Sequence, residues 1–326
     1  MKNLIAFLVI SISVVCLLQS CGNNDQPDFR LAKEYRSYNS NDSAAFCEIM
    51  KTAFGPNLDK VCDYYKMKLD SIPSWPSGTP QWQWFDDIKE YRITQLYINS
   101  APTDPFSFYP PDEDNPEFGK LSDSIWDLDS LRTLRVYGGL FHGDIPSSNG
   151  KGKKMSFINI EQTNISSIPL DIFTLPELGF LAVSSNHRLK RLPKGYESLP
   201  PDDREEPAVY LFQYNGFSGK CPGNLTRQMN FAGNNYDSVD WSEWETIDFS
   251  SKILKDQMGP FLYYNKIKGT FPEKLLNDTI AILYINTCLS PQDEGYGISG
   301  IPSQEEIIKM RTDFKKNHPE FRDHLL

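Results

Sequence analysis

The sequence lacks the closely spaced cysteine and histidine ligands that make a zinc site. It contains no Cys-x-x-Cys pair, and its four histidines do not cluster near a cysteine. Acidic residues are frequent in the insertion 102–120, but their spacing does not match a calcium-binding EF-hand loop. Because a protein metal site needs a converging set of such ligands, no metal site is predicted. The insertion is interpreted as a solvated acidic loop, with a calcium site as the alternative.

Long basic stretches are missing as well. The chain has 33 lysines and arginines against 43 aspartates and glutamates, which gives a formal net charge of −10 at pH 7. The longest basic cluster, 151–154, lies beside glycines and favours a loop. Because binding to a phosphate backbone depends on a positive patch, a nucleic-acid partner is not expected.

Motifs of common enzyme classes are also absent. No P-loop, H-E-x-x-H or G-x-S-x-G segment occurs. The letters Gly295-x-Gly297-x-x-Gly300 match a dinucleotide fingerprint, but they do not stand between a strand and the start of a helix. With no catalytic residue and no cofactor site to name, the sequence favours a protein that is not an enzyme and carries no cofactor.

Apolar runs long enough to span a membrane are lacking too. The longest run, 4–18, has about 15 residues and follows Lys2, as in the apolar part of a signal peptide. It ends in the letters LQSCG (18–22), which resemble the lipobox of bacterial lipoproteins. The resemblance implies cleavage after residue 20 and acylation of Cys21. The alternatives are a plain signal peptide and a membrane helix.

The same resemblance implies where the chain resides. A lipoprotein signal peptide over 1–20 directs a chain to the bacterial cell envelope, and we expect a lipid-anchored protein of the outer membrane. Two or three acyl chains make a stable anchor where one would be marginal. Residues 21–30 are polar and are expected to form a flexible tether.

What the sequence does contain is an internal repeat. The frame L-x-x-L-x-L-x-x-N/C-x-L recurs, with its fourth position at residues 96, 134, 158, 181, 210, 229, 260 and 283. Typical steps are 23 or 24 residues, and longer steps are interpreted as loop insertions. One copy cannot bury its apolar side chains alone, whereas stacked copies can. We therefore expect about eight stacked repeats; the alternative is a β-sandwich.

A second pattern follows the first in phase. The segments that carry it end in proline: FHGDIP, ISSIP, LKRLP, FSGKCP, IKGTFP and ISGIP. They resemble the x-L-x-G-x-I-P segment of plant-type leucine-rich-repeat proteins, and the resemblance covers residues 91–302. It implies an α/β repeat solenoid, a leucine-rich-repeat horseshoe with one short parallel strand per repeat. The asparagine or cysteine at the ninth frame position is expected to satisfy backbone groups where the chain turns.

The segment before the repeats does not follow the frame. Residues 31–90 are expected to form a helical N-terminal cap, with one helix over 42–54, capped at residue 41 or 42, and another over 58–69. In the plant-type family such a cap covers the open end of the stack. Its aromatic residues are interpreted as core, with a ligand platform as the alternative: Trp75, Trp82, Trp84 and Phe85.

The segment after the repeats, 303–326, is expected to form a C-terminal capping helix. Residues 304–316 mix charged residues with Ile307, Ile308 and Phe314, a pattern typical of an amphipathic helix. Both ends of the stack would then be covered.

Four cysteines follow the anchor in the expected mature chain: Cys47, Cys62, Cys221 and Cys288. A tight break at 55–57 between two antiparallel helices would bring Cys47 opposite Cys62, within the ~7 Å between Cα atoms that a disulfide allows. Cys221 and Cys288 lie three repeats apart, or at least ~14 Å at ~4.8 Å per strand, which is too far for a bridge. The sequence predicts one disulfide, Cys47–Cys62, and two buried thiols.

The frame also predicts a binding surface. Side chains alternate across a strand, so the fourth and sixth positions face the core while the third, fifth and seventh face outward, onto the concave sheet of a horseshoe. Tyrosine and arginine dominate binding hot spots, and outward aromatics recur across the frames. The selected residues are Tyr97, Arg135, Tyr137, Phe261, Tyr263 and Tyr284. The alternative is that some of the outward aromatics, which also include Phe157 and Phe180, pack on each other or on insertion loops.

Together these expectations describe a lipid-anchored envelope protein that binds a protein or peptide partner on its concave face. The alternative is a glycan-binding protein, or an accessory lipoprotein of a glycan-uptake system, because sugars are also bound by aromatics and amides.

Overall fold

The structure is a computed structural model of the chain. It describes residues 37–59, 80–99, 118–200, 202, 204, 207–221, 228–246, 248–249, 261–289 and 297–318. Four expectations concern residues outside these ranges: the signal peptide and tether with Cys21, most of the second cap helix with Cys62, Trp75, and the acidic insertion up to residue 117. They stay predictions.

Short strands dominate the described chain. In chain order they are β1 (Ser37–Tyr38), β2 (Gln81–Phe85), β3 (Glu90–Asn99), β4 (Thr133–Tyr137), β5 (His142–Asp144), β6 (Phe157–Glu161), β7 (Asn164–Ser167), β8 (Phe180–Ser184), β9 (Val209–Leu211), β10 (Ser218–Cys221), β11 (Gln228–Asn230), β12 (Asn235–Val239), β13 (Lys268–Thr270) and β14 (Gly297–Ser299). The main sheet has the order β1-β3-β4-β6-β8-β9-β11, and all of these neighbours are parallel. Strand β2 is antiparallel to β3 at one edge.

Equivalent frame positions stack on one another in the main sheet. Leu134 of β4 is paired with Ile158 of β6, which is paired in turn with Leu181 of β8, and all three are buried. Along each strand, the residues next to these core positions point to the other side of the sheet, which we call the outward face. On this face, Arg135 is exposed and Asn159 is half-buried. The expected strand frame is confirmed for these repeats.

The proline-ended segments form a second set of strands. Five of the six contain one, β5, β7, β10, β13 or β14, and LKRLP contains none. These strands pair as β5 with β7, β10 with β12, and β13 with β14. Short 3-10 helices lie between successive strands: Asp123–Asp127, Leu170–Thr174, Tyr196–Ser198 and Glu273–Asn277. Six of the eight expected repeats thus contribute one strand each to the main sheet before the chain turns away: β3, β4, β6, β8, β9 and β11.

A ladder of asparagines joins neighbouring repeats at this turn. The Nδ2 atom of Asn215 donates to the carbonyl oxygens of Val183 and Phe212, at 2.6 and 2.9 Å. Its Oδ1 accepts from the backbone N–H of Asn186 at 2.8 Å. Asn234 and Asn265 make the same kind of contacts in the following repeats. The role expected of asparagine at the ninth frame position is confirmed.

The first α-helix, α1 (Ser40–Phe54), packs its apolar face on the core. Its N-cap is Asn39, whose side chain accepts from the backbone N–H of Asp42 at 2.9 Å, so the expected cap at residue 41 or 42 is wrong. The Asp42 carboxylate instead accepts from the Arg92 guanidinium at 2.8 and 3.0 Å and from the Ile93 N–H at 2.8 Å. This buried pair ties the helix to β3.

The tryptophan-rich part of the cap belongs to the hairpin formed by β2 and β3. Trp82 is buried in the core, as expected, and Trp84 and Phe85 are partly buried. The Trp84 ring lies 5.3 Å from that of Tyr91, which is stacked on Tyr38 at 4.6 Å. The cap expected to be helical therefore ends in strand.

Among the described residues after 240 there are three more α-helices: α2 (Trp241–Trp244), α3 (Thr279–Leu289) and α4 (Gln304–Asn317). Helix α4 agrees with the expected closing helix and begins with a capping box between Ser303 and Glu306. It buries Ile307 and Phe314, whereas Ile308 is 60% exposed. Helix α3 was not expected, because its residues match the strand frame.

Of the cysteines, Cys221 and Cys288 are buried free thiols, as predicted, and burial raises the pKa of both. Cys47 is half-buried in α1, and its proposed partner lies outside the described residues. The Cys47–Cys62 disulfide therefore stays a prediction. No helix within the described ranges is long and apolar enough to cross a membrane.

Candidate functional site

A pocket of about 410 Å³ opens on the outward face of the main sheet, near its N-terminal edge. Strands β3, β4 and β6 form its floor, and Gln81 at the start of β2 adds to its wall because β2 pairs with β3. It is lined by Gln81, Gln95, Leu96, Tyr97, Thr133, Arg135, Val136, Tyr137, Asn159 and Glu161. Most of these side chains are polar or aromatic, as a recognition site requires.

Three of the six selected residues meet in this pocket. Tyr97 is paired with Arg135 across neighbouring strands, and Tyr137 lies two residues further along the strand from Arg135. Tyr97 is 40% exposed, a high value for a tyrosine within a sheet. The strand alternation therefore brought these side chains to one place, as the frame predicts.

The neighbours of two of these residues restrict their positions. The Tyr137 hydroxyl donates to Oε1 of Gln162 at 2.6 Å. The Arg135 guanidinium carbon lies 5.0 Å from the ring centroid of Phe157, and Phe157 stacks on Phe180 at 4.6 Å. These two phenylalanines illustrate the alternative expectation, that outward aromatics pack on each other.

Glu161 is the acidic group of the pocket. It is half-buried at the end of β6, directly across from Tyr137. Burial raises its pKa, while the Asn159 amide and the Arg135 guanidinium act in the opposite direction. The Oδ1 atom of Asn159 is buried and has no hydrogen-bond partner among the described residues. A ligand that donates hydrogen bonds would suit both groups.

The other selected residues do not belong to the pocket. Phe261 forms an isolated parallel bridge with Asn230 of β11, so β8, β9 and β11 separate it from β6. Its ring lies 5.8 Å from that of Tyr263. Both are partly exposed and form a second aromatic site on the sheet.

Tyr284 was placed on the outward face, and this prediction is wrong. The residue is 3% exposed in α3, where its ring lies 5.7 Å from Phe249 and 6.3 Å from Trp244. The cause is the helical conformation of 279–289, in which the outward position of the frame turns into the core.

Sequence reasoning did not select Gln81, Asn159 or Glu161. The frame does put Asn159 and Glu161 at outward positions, but nothing in their residue types indicates that Glu161 is desolvated. Gln81 belongs to the pocket only because β2 folds back on β3, a pairing that the repeat does not encode. Across the ranges that the structure covers, no cluster of three or more His, Cys, Asp or Glu side chains suits a metal ion.

Neither a protein-family model nor a curated protein matches this chain in sequence. Among solved structures, a plant ice-binding protein is similar with a TM-score of 0.41 and 16% identity, over 82% of this chain and 90% of its own. The LRR ectodomain of the receptor kinase SOBIR1 from Arabidopsis thaliana has a TM-score of 0.32 and 14% identity, over 74% of this chain and 90% of its own. The PEPR1-AtPEP1 structure has a TM-score of 0.38 and 16% identity, over 74% of this chain and 37% of its own. At TM-scores this low, the likenesses carry no conclusion about this chain's fold or ligand.

Proposed function

We propose that this chain is a leucine-rich-repeat solenoid that binds a protein or peptide partner on the outward face of its main sheet and catalyses no reaction. The support for the solenoid comes from the chain's own geometry. Strands β3, β4, β6 and β8 stack in one register, and the asparagine ladder repeats in step with the later strands. In a solenoid, a concave sheet face that spans many repeats offers an extended surface for a partner.

The observation that carries the binding role is the pocket on β3, β4 and β6. Tyr97, Arg135 and Tyr137 lie there within reach of one ligand and remain partly or largely exposed. Tyrosine and arginine are enriched in the residues that dominate binding energy. Phe261 and Tyr263 extend the candidate surface beyond β11, which favours a partner with a broad footprint.

A glycan ligand is the second candidate, supported by the same pocket. Tyr97 and Tyr137 are accompanied by the amides of Gln81, Gln95 and Asn159, and sugars are bound by aromatic faces and amide groups together. The charged pair in the pocket, Arg135 and Glu161, favours the protein or peptide partner over the glycan.

We also propose that Cys21 carries the lipid and that the protein is anchored to the bacterial outer membrane. The support is the sequence LQSCG at the end of the apolar run. Replacing Cys21 by alanine should release the protein from the membrane fraction and abolish labelling with palmitate. A variant that stays in the membrane and is still labelled would contradict the anchor.

The binding role is tested by capture of envelope proteins and by a glycan array, with the full chain in mild detergent. Tyr137→Ala and Tyr263→Ala should each weaken binding by at least ~1 kcal/mol while the melting temperature barely changes. Ile308→Ala, on the exposed face of α4, is the control and should bind normally. If both tyrosine variants bind as well as the control, the outward face is not the site.

A further inference from the structure

The pocket contains one carboxylate, Glu161, and one cation, Arg135, and the two do not form an ion pair. Glu161 lines the pocket, half-buried, and none of the described lysines and arginines forms an ion pair with the Glu161 carboxylate. The buried Asn159 Oδ1, which has no described partner, adds a second acceptor. The Asn159 amide donates a hydrogen bond to the Glu161 carboxylate, and a carboxylate that is partly removed from water is stabilised further by a cation in contact with it.

Arg135, the cation of the pocket, is directed toward an aromatic ring. Its guanidinium carbon lies 5.0 Å from the Phe157 centroid, a cation–π distance. It influences the Glu161 carboxylate through space without an ion pair, and burial still raises the pKa of Glu161. The carboxylate therefore has room for a cation supplied by a ligand.

Two tyrosines accompany the carboxylate on the same surface. Tyr137 is paired with Glu161 across β4 and β6, and Tyr97 lies on β3 at the other side of the pocket. The face of a tyrosine ring attracts lysine and arginine side chains within ~6 Å. The chain as a whole carries a net charge of −10, which steers a basic partner toward it.

We propose that this pocket receives a basic side chain, lysine or arginine, of a peptide or protein partner, with Glu161 as its counter-ion and Tyr97 and Tyr137 as its aromatic walls. The ammonium or guanidinium donates to the Glu161 carboxylate and to Asn159 Oδ1, and its aliphatic stem lies along the rings. The proposal rests on the binding role of the outward face and names the chemistry that this part of the face selects.

The test uses four blocked tripeptides, acetyl-Gly-Z-Gly-amide, with lysine, arginine, glutamate or norleucine as Z. Their binding to the full chain in mild detergent is measured by saturation-transfer NMR. The lysine and arginine peptides should bind at least about fivefold better than the other two, the size expected for a partly desolvated cation beside aromatic rings. Glu161→Gln should remove this preference.

The matched control is Glu305→Gln on the exposed surface of α4, which changes the net charge equally and should keep the preference. Equal binding of the glutamate and lysine peptides to the unaltered chain would overturn the proposal, and so would a Glu161→Gln variant that keeps the preference. Capture of the envelope partner separates the two ideas. If Tyr137→Ala weakens capture while Glu161→Gln does not change binding of the tripeptides, the outward face is still the binding site. The proposal that the pocket receives a basic side chain is then wrong.

Discussion

Two regions of this protein share one sequence frame and have different structures. Residues 155–163 and 280–288 both fit L-x-x-L-x-L followed by the ninth position. The first gives strand β6 in the main sheet, and the second gives helix α3. Their fourth and sixth positions are buried in both regions, so burial of the frame residues alone does not select the strand.

The positions between the frame residues distinguish the two regions. In β6, the outward residues Phe157, Asn159 and Glu161 are half-buried and two of them are polar. In α3, every described side chain from 281 to 286 is buried, including Ala281, Ile282 and Tyr284. An alternating pattern suits a strand with one face in water, whereas an apolar segment without alternation fits a buried helix equally well. A stronger local preference can then decide whether the segment forms a strand or a helix.

Asp278 supplies that local preference. Its Oδ1 accepts from the backbone N–H groups of Ile280 and Ala281, at 2.9 and 3.0 Å, as a helix N-cap does. The helix also ends the stack: the carbonyl of Cys288 accepts from the N–H of Leu262 at 2.7 Å, and α4 packs beside it, with Gln304 3.5 Å from Asn286. A helix there satisfies its backbone internally, which a last strand without a neighbour would not.

The largest expected difference is between a tyrosine of helix α3 and a tyrosine on the outward face of the main sheet. Tyr284→Ala should cost about 3–5 kcal/mol of unfolding free energy, because it empties a buried site beside Trp244 and Phe249. Tyr137→Ala, at the seventh frame position of β4, should cost less than ~1 kcal/mol. Urea titrations of both variants measure this. Equal costs would mean that Tyr284 lies on a surface, and 279–289 would be a strand after all.

The ninth frame position should show the next largest difference. Asn215→Ala removes three hydrogen bonds, two of them to the neighbouring repeat, and leaves buried backbone groups unsatisfied, so about 3 kcal/mol should be lost. Cys288→Ala, at the same frame position in the helix, removes packing and the hydrogen bond between its thiol and Tyr284, and should cost about 1–2 kcal/mol. The measurement is again the urea midpoint. A cost for Cys288→Ala as high as that for Asn215→Ala would show that both residues satisfy the turn.

The cap of α3 should have a smaller effect. Asp278→Ala removes the side-chain acceptor for two helix N–H groups and should cost about 1 kcal/mol. Glu177→Ala, an exposed acidic residue just before the frame of β8, should change stability by less than about 0.5 kcal/mol. Thermal melts of the two variants compare them directly. An Asp278→Ala variant with an unchanged melting temperature would show that the cap does not cause the helix.

The same comparison explains how much of the fold the sequence predicts. The repeat frame correctly predicts strands such as β4, β6 and β8 and the asparagine ladder, and the amphipathic pattern of 304–316 correctly predicts helix α4, because each rests on local periodicity or on one residue type. The frame misses α3, because an apolar segment fits the period of a strand and that of a helix equally well.

The site shows the same division. Alternation along the strands is local, and it correctly brings Tyr97, Arg135 and Tyr137 to one surface. The contribution of Gln81 depends on the hairpin of β2 and β3, and the raised pKa of Glu161 depends on burial by several strands. Both are consequences of packing between distant segments, which no single stretch of sequence contains.

The smallest expected effect concerns Glu161, the outward carboxylate of β6 that has no counterpart in α3. Burial raises its pKa, and the Asn159 amide and the Arg135 guanidinium act in the opposite direction; Tyr137 on β4 and Ser184 on β8 lie across from it. Because the folded protein holds the neutral form more readily than the unfolded chain, the ionised group lowers stability above its folded pKa. Glu161→Gln should therefore raise the melting temperature slightly at pH 7, and the gain should shrink as the pH falls below the folded pKa and Glu161 itself becomes neutral. Melting curves of the two proteins between pH 4 and pH 8 measure the gap, and a gap that does not change with pH would mean that Glu161 is as well solvated in the folded chain as in the unfolded one.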